Sequence, residues 1–333
     1  MAVKILGRLF QVGIAKETVR GTPVAAASFW IPFSDMAINE KFENAIDEQS
    51  LGVIEDTAGQ TRVKEWAEGT FKAPVGDAHF PLILLSVLGS LSTAANPDLS
   101  ALVKDHTITV GQSAQHQSLT LFLDDPAGAA GAQDYKHALA VVSSLEIAYE
   151  QTKFLEYTAT VKALKGVQAA LTPAYVAENR FLPQHVIFKM AANLAGLGAA
   201  AATVVKSLTL KIDQTTEEQT VLGNKAPVDF LNKQFVIEGT VEALWDDEAT
   251  FKAAALAGTV KAMRIDIKNT DVVIGTAANP QITIDLAKVV FKEVTRAVKL
   301  NDMVAQTLQF KAHYSASDSK MVTIKCTNLQ TSY

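Results

Sequence analysis

Residues 234–245 read QFVIEGTVEALW, and residues 65–74 read EWAEGTFKAP. In both stretches apolar and polar residues alternate, which predicts a β-strand with one buried and one solvated face. Glu68-Gly69-Thr70 in the first stretch matches Glu238-Gly239-Thr240 in the second, 170 residues later. Each glycine falls on the apolar face, where a missing side chain admits a neighbouring backbone or a bulge. The repetition at half the chain length predicts that one β-rich unit occurs twice.

Two further phrases recur in the same order. Leu51-Gly52 precedes the first strand, and Leu222-Gly223 precedes the second. Downstream, each half closes with an alternating strand that carries an apolar residue followed by Lys-Ala, at Val161-Lys162-Ala163 and at Phe310-Lys311-Ala312. The offset is 171 residues for the first phrase and 149 for the second, because the first half carries extra length, which we place in the turn-rich loop Asp124–Asp134. Order and spacing together favour a duplication over a chance match of three letters.

A candidate helix follows each Glu-Gly-Thr strand after about ten residues. Phe80–Leu91 has Pro81 in its first turn, and Asp247–Ala257 has acidic residues in its first turn and Gly258 after it. We therefore predict a mainly β fold of two tandem modules, each with one flanking α-helix and long loops. The predicted boundaries are 1–166 for the N-terminal module, 167–182 for a linker and 183–333 for the C-terminal module.

Composition restricts the class of protein. A chain of 333 residues with 48% hydrophobic and 20% charged residues is long enough for about two folded domains. Its formal net charge of −5 argues against a nucleic-acid binder, which carries basic patches. Cys326 is the single cysteine, so no intramolecular disulfide is expected. The N-terminus does not read as a signal peptide, and no apolar run is long enough to predict a membrane span.

Catalytic and cofactor-binding motifs are not evident. The six histidines lack metal-ligand spacing, and Gly196-Leu197-Gly198 lacks the third glycine and downstream acid of a dinucleotide site. The sequence has neither a phosphate-binding loop nor a Gly-x-Ser-x-Gly motif. We predict a non-enzymatic protein without metal or cofactor. Two carboxylates facing one cleft would suit glycoside hydrolysis, but their spatial approach is not readable from sequence.

The N-terminal stretch GIAKETVRGTPVAAASFWIPFSD (Gly13–Asp35) resembles the opening of tail tube proteins from long-tailed, siphophage-like bacteriophages with non-contractile tails. The phrase that carries the resemblance is Lys16-Glu17-Thr18 followed by Gly21-Thr22-Pro23. The later strand with Glu238-Gly239-Thr240, followed by a helix, is also similar to this family.

The resemblance implies a β-sandwich or split-barrel module whose inner strands join between subunits into one continuous barrel. The subunits thereby form a ring, and the rings stack into a hollow tube that delivers DNA without binding it specifically. Two modules per chain imply a trimeric ring with pseudo-six-fold symmetry. The implied partners are other copies of the chain and the tape-measure, tail-terminator and tail-tip proteins, with no membrane partner. The implied location is the virion tail, after synthesis in the host cytoplasm.

Two expectations about particular residues follow from this resemblance. Acidic residues on polar strand faces are candidates to line the lumen, although an outer-surface position suits them equally: Glu146, Glu150, Glu238, Glu242 and Asp285. The polar stretch Lys41–Gly59 is either a mobile loop or an arm that grips a neighbouring subunit.

Two other functions remain open at this point. The first is another ring-forming tail component, such as a tail-tip, baseplate or head-completion protein, which would not extend into a filament. The second is a carbohydrate-binding or hydrolytic β-sandwich protein, which would be a monomer with a ligand-sized cleft.

Overall fold

The computed structural model describes residues 5–98, 101–126, 133–244, 251–298, 300 and 303–333, and it is mostly β. The first half of the chain contains β1 (Gln11–Lys16), β2 (Phe29–Ile31), β3 (Asp35–Asp47), β4 (Gly59–Pro74), α1 (Phe80–Leu88), β5 (Gly89–Ala95), β6 (Lys104–Val110), β7 (Leu119–Asp124), β8 (Tyr135–Tyr149) and β9 (Glu156–Ala163). The remainder contains β10 (Val167–Gln168), β11 (Val186–Ala191), β12 (Ser207–Asp213), β13 (Thr216–Gln219), β14 (Asp229–Asn232), β15 (Val236–Leu244), α2 (Lys252–Leu256), β16 (Lys261–Lys268), β17 (Gln281–Ala297), β18 (Ala305–His313) and β19 (Val322–Asn328). Among the described residues, no helix has the length and apolar character needed to span a membrane.

The helix α1 is shorter at its C-terminus than the sequence pattern predicts. Pro81 occupies the first turn, where its missing N–H costs no hydrogen bond, and every residue of the helix is buried. The helix ends at Leu88 because Gly89 adopts a left-handed conformation with φ of 89° and begins β5.

Two other predicted segments differ from the structure. The helix α2 spans Lys252–Leu256 and is shorter than the predicted Asp247–Ala257, of which residues 247–250 lie outside the described residues. The stretch Lys41–Gly59 is not all loop, because β3 continues to Asp47 and pairs there with Gly59 of β4. The predicted turn-rich loop at 124–134 falls largely on residues 127–132, which also lie outside the description.

Eight strands form one continuous antiparallel sheet in the order β3-β4-β9-β8-β12-β15-β18-β17. The first four strands come from the first half of the chain and the last four from the second half. At the junction, β8 pairs with β12, so that Leu208 lies opposite Tyr149 and Asp213 lies opposite Ser144. The two halves therefore contribute matching four-stranded units to one sheet.

The order of strand pairing is the same in both halves. In the first half the outer strands β1 and β7 extend the sheet from the N-terminal part of β8, as β11 and β16 extend it from β17. Both long strands also carry a register shift at the same place, between Val142 and Ser144 in β8 and between Phe291 and Glu293 in β17. A bulge at matching positions bends both strands alike.

The halves are held together by more than the β8–β12 junction. β19 pairs with β17 on one side and with β6 of the first half on the other, with Cys326 opposite His106. One hydrophobic cluster spans both halves and includes Phe71, Tyr157 and Phe310. The two units thus share a single buried core.

Candidate assembly interface

One face of the eight-stranded sheet packs on the core, and the other face carries polar side chains. Burial alternates along β9, β12 and β18 and in the C-terminal parts of β4, β8 and β15, as the period of two requires. The polar face holds a belt of hydroxyls flanked by charged residues: Glu68, Thr70, Lys72, Ser144, Glu146, Thr158, Thr160, Lys162, Thr209, Lys211, Glu238, Thr240, Glu242, Thr307, Gln309 and Lys311.

Lysines neutralise two of the predicted lumen acids. Glu238 accepts from Lys292 at 2.6 Å and lies 3.3 Å from Lys311. Glu242 accepts from Lys206 at 2.9 Å. The hydrogen bond from Lys292 is the main reason that the pKa of Glu238 lies below its ordinary value, and Lys206 acts in the same way on Glu242. This face therefore carries balanced rather than strongly acidic charge.

The other three predicted acids lie in different environments. Glu146 is on the polar face, directly opposite Lys211 of β12. Glu150 follows the last residue of β8 and is exposed. Asp285 lies in the N-terminal part of β17, which pairs with β16 and β19 instead of with β18. It accepts two hydrogen bonds from Arg264, at 2.6 and 2.8 Å. The structure thus groups Glu146 with Glu238 and Glu242, and separates Asp285 from them.

The repeated glycines lie where two neighbouring strands approach most closely. A Cβ on Gly69 would overlap the carbonyl oxygen of Ala37 and lie 2.6 Å from the Cα atom of Ile38. A Cβ on Gly239 would overlap the carbonyl oxygen of Thr209 and lie 2.6 Å from the ring of Phe310. Both positions therefore require a residue without a side chain.

The glycines also define equivalent positions in the two halves. Gly69 lies opposite Ile38 and Val161, and Gly239 lies opposite Leu210 and Phe310. One residue earlier in each strand, Glu68 lies opposite Lys162 and Glu238 lies opposite Lys311. In both halves, therefore, the glycine of the Glu-Gly-Thr phrase lies between two apolar residues and the glutamate lies opposite a lysine.

Both ends of the eight-stranded sheet are open. Within the described residues, β3 pairs along one edge only, with β4. In β17, residues 290–295 likewise pair along one edge only, with β18. Unpaired N–H and C=O groups along such edges are available to another chain.

An arm of the second half lies against the first half. This C-terminal arm, residues 214–235, connects β12 to β15 and contains β13 and β14. Arg20 donates to Asp229 at 2.8 Å and to the carbonyl of Phe230 at 2.8 Å. The carboxylate of Glu218 lies 2.5 Å from the Nζ atom of Lys64 and 2.9 Å from that of Lys162. The arm thus crosses the junction between the halves and is fixed there by charge pairs.

The two lysines determine the ionisation of Glu218. Burial alone would raise the pKa of this carboxyl, but hydrogen bonds from Lys64 and Lys162 outweigh that effect and place the pKa below its ordinary value. The hydrogen bond to Glu218 in turn raises the pKa of Lys64. Glu218, Lys64 and Lys162 together form a lysine clamp. The clamp was not predicted from the sequence, in which Lys162 was noted only as part of a strand phrase.

We searched the described residues for side chains that could bind a metal ion and for a cleft that could bind a ligand. No group of three or more His, Cys, Asp or Glu side chains in this part of the chain is placed to hold a metal ion. A cleft of about 370 Å³ between the ends of β8 and β12 is lined by Glu150 and Lys206, among others. Among the described residues that line this cleft, Glu150 is the one carboxylate, whereas glycoside hydrolysis needs two.

Comparison with known proteins places the chain in a family. A search of curated proteins found no match. A family model described as phage tail tube protein matches residues 7–312, a range that begins before β1 and ends within β18. The match thus covers strands of both four-stranded units and the C-terminal arm. The chain belongs to the phage tail tube protein family and is a structural protein of the phage tail.

Proposed function

We propose that this chain self-assembles into rings, and that the rings stack into the hollow tail tube through which phage DNA is delivered. The proposal is carried by a correspondence between strand edges. The two edges that are open at the ends of the eight-stranded sheet correspond to the two edges that pair with each other in its middle. The open strand β3 corresponds to β12, and the open part of β17 corresponds to the part of β8 that pairs with β12. One chain therefore already contains the junction that a neighbouring chain would form.

The internal junction predicts the register between chains. Asp213 lies opposite Ser144 within the chain, and their counterparts are Lys41 in β3 and Glu293 in β17. When β3 of one chain extends β17 of the next in this register, Lys41 and Glu293 face each other. Opposite charges in directly opposed positions stabilise antiparallel pairing.

Two modules in each chain support a ring of three chains. We take residues 1–166 and 183–333 as the modules and 167–182 as their linker, because strand order, glycine contacts and bulges repeat between them. Three chains of eight strands would close a 24-stranded barrel. At ordinary strand spacing and tilt its backbone diameter is roughly 50 Å, wider than porin barrels that already enclose an aqueous channel.

We assign the polar face of the sheet to the lumen, since the opposite face is buried in the core. Its acids and lysines neutralise one another, and its threonines carry no charge. Such a wall offers DNA phosphates few unpaired cations, so the DNA would slide through without specific binding. Glu146, Glu238 and Glu242 would then line the channel.

The same proposal defines the partners and location. The chain would be made in the host cytoplasm and would end in the tail of the virion, with a long non-contractile tail favoured by the resemblance of its N-terminal stretch. Its closed rings would meet a tape-measure protein in the lumen and terminator and tip proteins at the two ends. None of these contacts requires an enzyme, a cofactor or a membrane.

Negative-stain microscopy of concentrated protein, with molecular mass measured in solution, tests the proposal. Long hollow tubes built from trimeric rings are expected. Isolated rings that never stack would indicate a different tail component, and monomers at all concentrations would overturn self-assembly.

A further inference from the structure

The two arms share a phrase that marks equivalent carboxylates. The N-terminal arm, residues 42–65, contains Asp47-Glu48-Gln49-Ser50-Leu51-Gly52, and the C-terminal arm contains Glu217-Glu218-Gln219-Thr220-Val221-Leu222-Gly223. Gly52 and Gly223 both have positive φ, at 79° and 90°. The N-terminal arm is longer by two residues. By this alignment, Glu48 is the counterpart of Glu218.

The two arms have different environments within a single chain. Glu218 is clamped by two lysines of the other half, whereas Glu48 is exposed and forms no hydrogen bond or ion pair with the residues described. The N-terminal arm also exposes large apolar side chains to solvent, and the most exposed are Leu51, Val53 and Ile54. Exposed apolar side chains clustered in this way are typical of a surface that another chain covers.

The second half holds the counterpart of the lysine clamp. Lys311 occupies the position of Lys162, because each lies opposite the glutamate of the Glu-Gly-Thr strand. Lys292, at the bulge of β17, lies beside it, and both lysines share the carboxylate of Glu238. Two cations thus face one carboxylate.

The first-half clamp shows what is missing from the second. There Lys162 lies opposite Glu68 of the neighbouring strand and 2.9 Å from Glu218 of the arm, and Lys64 contacts Glu218 and Glu43. The second half supplies the strand carboxylate, Glu238, but no carboxylate from an arm. The charge balance therefore leaves room for one additional glutamate beside Lys311.

We propose that Glu48 of one chain binds Lys311 and Lys292 of the next chain in the ring. This inference rests on the proposed ring, in which β3 of one chain lies against β17 of its neighbour. The N-terminal arm then crosses the junction between chains as the C-terminal arm crosses the junction within the chain. The occupant of the lysine pair is a second copy of this protein.

Cross-linking within assembled rings tests the contact directly. The double variant Glu48→Cys with Lys311→Cys is assembled and treated with a short bismaleimide, and the one natural cysteine, Cys326, is buried. Covalent products are expected to stop at three chains, because each ring closes. The matched control is Glu55→Cys with Lys311→Cys, which places the thiol elsewhere on the same arm and should give little product. Products that extend beyond three chains would place the arm on another ring and overturn the inference.

Charge reversal provides a second readout. Glu48→Lys should raise the protein concentration needed for half-maximal assembly about tenfold, because three cations then meet at one carboxylate. Adding Lys311→Glu should restore assembly, and Glu55→Lys should leave it unchanged. Normal assembly of Glu48→Lys, with no cross-linked product, would overturn this contact while leaving the ring intact. Failure of the wild-type chain to form rings would instead overturn the proposed function.

Discussion

Lys162 and Glu218 lie 2.9 Å apart, although one belongs to β9 in the first half of the chain and the other to the C-terminal arm in the second half. Lys64 contacts the same carboxylate at 2.5 Å. The side chain of Glu218 is 13% exposed, so water screens these pairs only in part. The carboxylate therefore holds the arm across the junction of the modules.

Replacing Glu218 with glutamine should lower the free energy of unfolding by about 1–3 kcal/mol, because two half-buried lysines lose their counter-charge. Urea denaturation followed by tryptophan fluorescence measures the change. Glu217→Gln is the matched control, since the side chain of Glu217 is 55% exposed and its partner Lys233 is equally exposed. The control should change stability by less than about 0.5 kcal/mol. Equal effects of the two substitutions would contradict the role given to Glu218.

The contribution of Glu218 should disappear in acid. Its pKa is lower in the folded state than in the unfolded chain, so the unfolded state binds more protons between the two values. The stabilisation is therefore complete above the ordinary carboxyl pKa and is lost as pH falls through the lowered pKa. Denaturation at pH 7, 5 and 3 should show the difference between wild type and Glu218→Gln shrinking towards zero at the lowest pH. A difference that stays constant over this range would exclude an ionic origin.

Adding a methyl group to either repeated glycine should destabilise the fold. Gly69→Ala and Gly239→Ala each force a Cβ against a backbone carbonyl, which costs about 2–3 kcal/mol. Gly198→Ala is the control, because Gly198 has φ of −60° and open space around it. That variant should be neutral or more stable by about 0.4–1 kcal/mol. Thermal denaturation ranks the three variants, and a mild effect at Gly239 would mean that the strands separate easily.

The register proposed between chains predicts a charge-swap rescue. Lys41→Glu places two carboxylates opposite each other and should reduce ring formation about fivefold per junction. Glu293→Lys should do the same, and the double variant should recover. Sedimentation velocity gives the ring fraction, with Lys153→Glu in the loop after β8 as the control. Additive losses in the double variant would show that the two residues do not meet.

Assignment of the polar face to the lumen predicts protection from bulky reagents. A cysteine at position 146, introduced as Glu146→Cys, should react with a large maleimide polymer in the monomer but slowly in the assembled tube. Val273→Cys, in an exposed loop outside the eight-stranded sheet, should react at the same rate in both states. Gel shifts after timed quenching give the rates. Rapid labelling of both cysteines in tubes would place the polar face outside.

Much of the local structure was predictable because period-two alternation identifies strand faces directly. The mainly β class is confirmed, and both Glu-Gly-Thr phrases lie on strands with the predicted polar and apolar faces. The helix at Phe80–Leu88 was also predicted, apart from its end at Gly89. The apolar-Lys-Ala phrases identified two strands that turned out to lie opposite the repeated glutamates.

The partners of these strands were not predictable, because alternation specifies a face but not a neighbour. The β8–β12 junction and the β6–β19 pairing join distant parts of the chain and depend on how the modules meet. The clamp at Glu218 was missed for the same reason, since its lysines are 56 and 154 residues away. The strand at Lys41–Asp47 was missed because its polar residues are paired along one edge and exposed on both faces.

The β8–β12 junction lies within one chain, which in the proposed ring has a consequence for the kinetics of assembly. In a ring of six separate subunits every junction would form by collision, each with a loss of translational and rotational entropy. Here half of the junctions form within a folding chain, where the linker sets a high effective concentration. In the proposed ring of three chains, two encounters bring all the chains together, and partly closed rings are rarer. Each kind of junction can then have a strength of its own, so that the one within the chain is permanent while the one between chains is reversible.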